Sequence, residues 1–593
     1  MKKRIGCVRR VVFLFSICYL LTDMTHAKKP QPPFETDVAT EVTFQTTDKA
    51  VQTLYNAALS KMKGNIVQLT PSMKVLVEGG GYGNVWIETQ PMGGEMFARH
   101  DVQVAMNNQV VFMLGQRKDG RLPGMVIAGD KALASGWDKK PPEGHVWFPK
   151  HHLAACFDMF QGYCFPEPAW RMYFWAGKDK AYLQRLYAAL EAHDAYLWRT
   201  RDSNGDGILE TWCVWDTGED GCTRLETRGA PGRWPFEKPP GAEGTPDPGN
   251  SPRYWFGEFT GELRVPFASM DIMAYSYAGR AVLAKISREL GNGKQAHWQA
   301  QAEEVRRRLI DKLWVADRHA CFDLDCKGRR LDELVHNNLR CMWYGIFTQE
   351  MADAFIEHHL LNPDEFWTPV PLVSIAANES LFRNGRRNDW SGPSQGLTWQ
   401  RAIDALENYG HHAEVTLLGR KLLPVLIRNG CKFTQQLDPF TGKPSGADGY
   451  GPMILAALEY ISRMHGIHLD VENDRVWWSG LAEPDRDFTT SQRWGDTTWT
   501  LECKAGKLRA AVNGKEAFTA SAGVRIVTDL DAQPIEIVGI DPEQRQVTAK
   551  TKHKEWTVTV RPNHVYRLDR PKPTAVRSAP FDYPHLASPK PSR

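Results

Sequence analysis

The sequence predicts a mainly α-helical protein, a six-hairpin (α/α)6 toroid followed by a small C-terminal β-sandwich. Three observations lead there. Helix-period apolar patterns succeed one another from about Asp48 to Gly466, β-branched and alternating segments take over after residue 467, and 21 Trp occur among 593 residues. Trp joins a broad apolar face to one N–H, so its abundance suits a large helical core or stacking surfaces for flat ligands.

The helical patterns are Ala50–Lys63, Glu95–Gln116, His151–Phe160, Ala169–Ala176, Ala181–Arg199, Ala268–Leu290, Lys294–Trp314, Arg330–Ile346, Glu350–Leu360, Leu397–Asn408, His412–Arg428 and Tyr450–Arg463. Each repeats apolar residues at three- and four-residue spacing; Val415, Leu418, Leu422 and Val425 are one such stripe. Gly177, Gly291, Gly410 and Gly430 punctuate the gaps. Twelve helices in antiparallel pairs close into a double ring.

Beyond Leu469 the strand patterns are Val476–Trp478, Trp499–Glu502, Leu508–Val512, Val524–Val527, Ile535–Ile540, Gln546–Lys550 and Trp556–Val560, separated by turns such as Asn513-Gly514. The organisation expected is a leader at 1–27, an N-terminal extension at 28–47, the toroid at 48–466, the β-sandwich at 467–570 and a disordered Pro-rich tail at 571–593.

The leader carries Lys2, Lys3, Arg4, Arg9 and Arg10, then the apolar run Val11–Leu21, then Thr25-His26-Ala27 as a cleavage site. Its apolar run is shorter than the ~20 residues that span a bilayer, so export to the periplasm or the exterior is expected, with no membrane span. Two of the 11 Cys lie in the leader. The spacings Cys156/Cys164, Cys213/Cys222 and Cys321/Cys326 allow local disulfides, and buried free thiols are the equal alternative. A net charge of +3 gives no reason to expect a nucleic-acid partner.

Three segments can carry chemistry. Asp202-Ser203-Asn204-Gly205-Asp206-Gly207-Ile208 places oxygen ligands at alternate positions with Gly at the sixth, the front half of a calcium loop. The acid of an intact loop is replaced at the twelfth position by Cys213. A metal-free Asx turn is the alternative, and Asp202, Asn204, Asp206 and the Ile208 carbonyl are the candidate ligands. The second segment, Trp212–Arg224, sets Asp216, Glu219 and Asp220 among Trp212 and Trp215. Crowded carboxyls beside an apolar wall hold a proton toward neutrality, which general-acid chemistry on a sugar requires. An acidic surface turn is the plainer alternative. The third runs from Asn388-Asp389-Trp390-Ser391-Gly392-Pro393 through Trp399-Gln400-Arg401 to Gln435–Gly442 and Asp448–Gly451.

With these motifs on the page, the chain resembles the (α/α)6 glycoside hydrolases around trehalase, the processing α-glucosidases of family 63 and the mannosylglycerate-hydrolase-like bacterial enzymes. The resemblance implies that Asp220, in Asp216-Thr217-Gly218-Glu219-Asp220-Gly221-Cys222-Thr223-Arg224, is the general acid of the pattern E-S-G-x-D-x-S-x-R. It implies that Trp390, Gly392 and Pro393 line the sugar pocket, and it favours calcium in the Asp202–Gly207 loop. The block Trp86–Glu95 with Arg99 and Asp101 resembles the family's first-hairpin substrate segment. Trp86, Trp212, Trp215, Asp216, Arg224, Arg401 and Gln435 complete the expected carbohydrate site.

One position departs from the family. Its general base is a Glu three residues before the Asp of E-x-Y-D-P-x-T-G, and this chain has Gln435 there, ahead of Asp438. An amide cannot take a proton from water. Either Asp448, Asp438 or Glu88 takes its place, or the substrate itself participates in the reaction. Two other classes remain open: a non-catalytic carbohydrate-binding protein, motivated by Gln435, and a polysaccharide lyase using His336-Asn337-Asn338 or His151-His152.

Overall fold

The helices of the computed structural model run as α1 (Lys49–Gly64), α2 (Gln90–Phe97), α3 (Val102–Leu114), α4 (Pro166–Trp175), α5 (Lys180–Thr200), α6 (Met270–Leu290), α7 (Gln295–Leu313), α8 (Asn337–Trp343), α9 (Gln349–Phe355), α10 (Gly396–Glu407), α11 (His412–Arg428) and α12 (Gly451–His465), with two shorter turns besides. The structure describes residues 32–233, 265–483, 486–569 and 572–583, so the leader Met1–Ala27 lies outside the described residues.

The helices sort into two layers by how much of their circumference is apolar. Every residue of α12 is buried, and nearly every residue of α10; a helix buried all round is enclosed by other helices. By contrast α7 buries one stripe, Trp298, Ala302, Val305, Leu309 and Leu313, and leaves its other face to solvent. Contacts follow the same division. Helix α2 packs on α4, α4 on α6, α6 on α8, α8 on α10 and α10 on α12, and α12 returns to α2. Outside this closed circuit α3, α5, α7 and α11 lie against α2, α4, α6 and α10, and α1 lies against α12.

Three expected helices differ in the structure, one of them, Arg330–Ile346, being helical only over Asn337–Trp343. Glu95–Gln116 is broken at Ala98–Asp101, because the Asp101 carboxylate caps α3 by accepting from Val104 N. His151–Phe160 is instead centred on a strand, Leu153–Cys156, paired on both sides in a four-stranded sheet. Its apolar run is too short for periodicity to separate strand from helix.

The C-terminal region is strand-rich. One sheet orders Thr40–Thr46, Phe488–Trp494, Thr497–Lys504, Lys507–Val512, Lys515–Ser521, Arg545–Thr551 and Glu555–Val560; the other orders Ile467–Asp470, Arg475–Gly480, Val524–Asp529, Pro534–Val538, His564–Arg567 and Thr574–Ser578. Trp478 of the second sheet packs edge-on against Phe518 of the first, ring centroids 5.5 Å apart. The chain's two ends depart from expectation. Thr40–Thr46, expected in an N-terminal extension, pairs antiparallel with Phe488–Trp494, and Thr574–Ser578, expected in a disordered tail, pairs with His564–Arg567.

Cys156, Cys164, Cys213, Cys222, Cys321, Cys341, Cys431 and Cys503 are free thiols. None of the three local disulfides is formed, and the buried-thiol alternative describes the core. No helix among the described residues is long and apolar enough to cross a membrane.

Candidate active site

The inner helices begin where the chemistry-bearing segments lie. Glu88 stands just before α2, Gln161 and Gly162 before α4, Asp271 on the first turn of α6, His336 before α8, Trp390–Gln395 before α10, and Gln435 and Tyr450 before α12. Hydrogen bonds tie these starts into one cluster. Gln161 Nε2 donates to Glu88 (3.0 Å), Arg401 to the carbonyls of Glu88 and Gly162, and Asn337 to both Glu219 and Asp271. Helix N-termini carry unpaired N–H groups and partial positive charge, an environment that favours carboxylates.

Asp220 is partly buried, and that desolvation raises its pKa to about 6 against the pull of the Asn388 side-chain amide, which donates to it. Asn388 is itself fixed, since its Oδ1 accepts from Trp390 Nε1 at 3.1 Å and from Gln435 Nε2. Tyr82 OH donates to Gln435 Oε1 at 2.8 Å, so Gln435 links the Tyr82 hydroxyl to Asn388. Glu88 is buried; that burial raises it to about 7, while Arg401, Arg340 and the Gln161 hydrogen bond oppose the rise. Its Oε1 has no hydrogen-bond partner among the described residues. Glu78, which no sequence motif marks, joins the same group. Burial and the charges of Glu88 and Asp220 push it well above the carboxylate range, against a hydrogen bond from Tyr450.

Several expected substrate contacts are framework instead. Asp216 and Arg201 form an ion pair with no exposed surface (2.5 Å). Burial works against the Asp216 charge, yet Arg201 and the amides of Trp212 and Phe160 hold its pKa low. Trp212 is likewise enclosed, with the Arg201 guanidinium 3.9 Å over its ring, so that face cannot stack on sugar. Arg224 is locked between Asp323 and Glu219. Arg99 lies past the far end of α2 and ties the helical body to the strands through Glu459, Ser462, Gln492 and the Ile467 carbonyl. Asp101 is the cap of α3 described above.

Trp390 is covered by His336 on one contact and Arg340 on another (5.3 Å each), so it positions Asn388 rather than stacking on a ligand. Arg401 is buried and reaches backbone carbonyls, which positions Glu88. Gly392 is required by close approach: a Cβ there would meet the Arg383 carbonyl at 2.4 Å. Only Trp86 and Trp215 among the expected rings remain half-buried.

Of the three carboxylates set against Gln435, Asp448 is ion-paired to Lys61 of α1 (2.6 Å) and accepts from Phe433 N. Asp438 caps its own turn through the amides of Phe440 and Thr441. Glu88 alone joins the Asp220 cluster. The Asp202–Ile208 loop lies apart. Gly207 N donates to Asp202 and Ile208 N to Asp206, the folding a calcium loop needs, and a carboxylate has about four lone-pair sites, so acceptor capacity remains. Those residues fit a calcium ion as ligands.

A curated mannosylglycerate hydrolase of Rubrobacter radiotolerans is 23% identical over 297 residues, a match covering 45% of this chain and 65% of that relative's length. The crystal structure of a GH63 mannosylglycerate hydrolase from Thermus thermophilus in complex with glucose superposes with a TM-score of 0.52 at 17% identity, covering 69% of this chain and 99% of that one. A sialidase structure superposes with a TM-score of 0.58 at 15% identity, over 83% of this chain and 42% of its own. These likenesses establish a shared fold, that of a helical toroid. The model of the mannosylglycerate hydrolase MGH1-like glycoside hydrolase domain matches residues 95–451, more than half the chain, and the protein belongs to that family.

Proposed function

We propose that the protein is an exported glycoside hydrolase that cleaves a glycosidic bond with inversion, in an oligo- or polysaccharide or a small glycoside. Its scaffold is the (α/α)6 six-hairpin toroid of residues 48–466 joined to a β-sandwich. The observation that carries this reading is the pair of carboxyls, Asp220 near 6 and Glu88 near 7, that titrate close to neutrality in one buried cluster. Active-site carboxyls are shifted this way when they must trade protons.

Asp220 has no cation beside it among the described residues and is the acid that protonates the leaving oxygen. Arg401 and Arg340 oppose the rise in the Glu88 pKa and so favour its ionised form, and its unpartnered Oε1 is the base that activates water. Inverting enzymes hold two such carboxyls roughly 6.5–9.5 Å apart to admit that water. Gln435, whose amide cannot serve as base, steadies Asn388. Burial and the charges of Glu88 and Asp220 favour the neutral form of Glu78. Asp202, Asn204, Asp206 and the Ile208 carbonyl would hold calcium, which would brace the loop when bound.

The relatives' names make mannosylglycerate the first substrate to assay, followed by a panel of glycosides and glycans read by sugar release. Turnover on any of them, lost in both Asp220→Asn and Glu88→Gln with the circular dichroism unchanged, is the expected result. Glycan binding without any sugar release would leave a binding protein in its place.

A further inference from the structure

A second group of ligating side chains lies outside the carboxyl cluster, on the sheet that contains Val85–Trp86, Met125–Ala128, Leu153–Cys156 and His145–Phe148. His145 and Cys156 are direct partners across the antiparallel pair. Direct partners project to one face, with Cβ atoms about 5 Å apart. Asp158 follows two residues after Cys156 and closes on the same point, its Oδ1 2.7 Å from Cys156 Sγ. One nitrogen, one sulfur and one oxygen ligand atom therefore lie within 4.8 Å of one another.

We infer that His145, Cys156 and Asp158 form a zinc site. Three features point to this. A thiol–carboxylate hydrogen bond accounts for Cys156 and Asp158 by themselves, but not for an imidazole brought to both. The His145 Nδ1 already meets the Glu143 carbonyl at 3.0 Å, which fixes the ring and leaves Nε2 to ligate; a backbone carbonyl on the second nitrogen is the usual support of a metal-bound His. Gly144 is held at φ +73°, and a Cβ there would strike Asp158 Cβ at 2.9 Å, so the hairpin is shaped to bring Asp158 in.

The ligand set is chemically selective. Thiolate with imidazole favours zinc over calcium or magnesium, and three protein ligands leave the fourth tetrahedral position to water. Binding releases the Cys156 thiol proton to solvent. Asp158 is 4% exposed and His145 half-buried, so the ion enters from the His145 side. Arg233 Nη1, 3.4 Å from Asp158 Oδ2, is the cation that must yield that oxygen.

The site has a place in the architecture. From Cys156 the chain runs to Phe160, whose N–H donates to Asp216, and to Gln161, which donates to Glu88. Zinc at the head of this short segment would brace the residue that orients Glu88.

The test uses the full-length protein and metal ions alone, so it stands or falls apart from hydrolysis. Cobalt(II) is the spectroscopic probe. One equivalent should bind with a thiolate-to-cobalt charge-transfer band that zinc displaces, that Cys156→Ser abolishes, and whose affinity falls at least about tenfold in His145→Ala and Asp158→Asn. Absence of the band, or a band of equal affinity in His145→Ala, overturns the assignment. If Cys156→Ser does not fold, the half-buried His145→Ala decides the question alone.

Discussion

Gly218 presses its backbone against the Glu88 carboxyl: a Cβ added at Gly218 would fall 2.4 Å from Glu88 Oε1 and 2.8 Å from Oε2. Gly218 also sits at φ +73°, in the left-handed region that a side chain resists. The loop that delivers Asp220 thus reaches its position only because residue 218 has no side chain, and the same contact sets the depth of Glu88. Gly218→Ala should displace Glu88 by roughly an ångström and lower kcat by about a hundredfold. Steady-state kinetics on the substrate found in the panel checks this; a rate within twofold of the parent would remove the contact from the mechanism.

Asp220 and Glu88 also make a statement about stability. Their pKa values of about 6 and about 7 are raised above the unfolded values near 3.8 and 4.5, so the folded protein binds more protons. The stability contributed by these two groups is therefore fully present below about pH 4 and is lost as pH climbs through 6 and then 7. Asp220→Asn removes one of these burdens, worth on the order of 3 kcal/mol as an upper bound. The variant should melt at higher temperature than the parent at pH 8 and at nearly the same temperature at pH 4. Equal shifts at both pH values would contradict the assigned protonation.

Asn388 is the donor that restrains Asp220. Asn388→Ala should let the Asp220 pKa climb further above 6, moving the limb of the pH–rate profile that reports it to higher pH. An unshifted limb would mean that the amide does not act on the proton.

Gln435→Glu tests whether the family's base can be restored. In this structure Gln435 donates to Asn388, and a carboxylate cannot. The substitution should turn the Asn388 amide away from Asp220 and reduce the rate at least tenfold, rather than increase it. A gain would show that water is activated from residue 435 after all, and not from Glu88.

Calcium at the Asp202–Ile208 loop predicts that EGTA lowers the melting temperature and that added Ca2+ restores it. Asp206→Asn should abolish the response. A chelator-insensitive melt in the parent protein argues for the metal-free Asx turn.

Much of the architecture was legible because helical burial leaves a period. The stripe Val415–Val425 lies on α11, and all seven expected strands overlap observed ones. The failures have specific causes. Asp101 reads as a pocket acid in sequence but caps a helix, since capping depends on one backbone angle that periodicity does not encode. Trp212, Asp216 and Arg224 stand beside Asp220 in sequence, yet a tight turn sends their side chains into ion pairs and ring contacts behind the site. Glu78 and Tyr82 went unmarked because they flank a Gly79-Gly80-Gly81 run that carries no pattern. A carboxyl and a hydroxyl on either side of a glycine triplet is the signal that could have found them: a Cβ on Gly80 would strike Tyr450 at 2.9 Å, so the run exists to let the backbone pass close to that site.

The pairing of Thr40–Thr46 with Phe488–Trp494 joins residues almost at opposite ends of the polypeptide. Helix α1 likewise finds its inner neighbour in α12. Both the ring and the larger sheet therefore wait for the last third of the chain before they can close. Loop-closure entropy must be met before such distant contacts repay it, which slows folding. A nascent chain of this kind cannot close its ring or its larger sheet until most of it has been made, and its unpaired edges are exposed to aggregation until then. Fragments ending near residue 466 would lack the strand that receives Thr40–Thr46, leaving that edge bare; a helical domain cut free at that point should be less soluble than the whole.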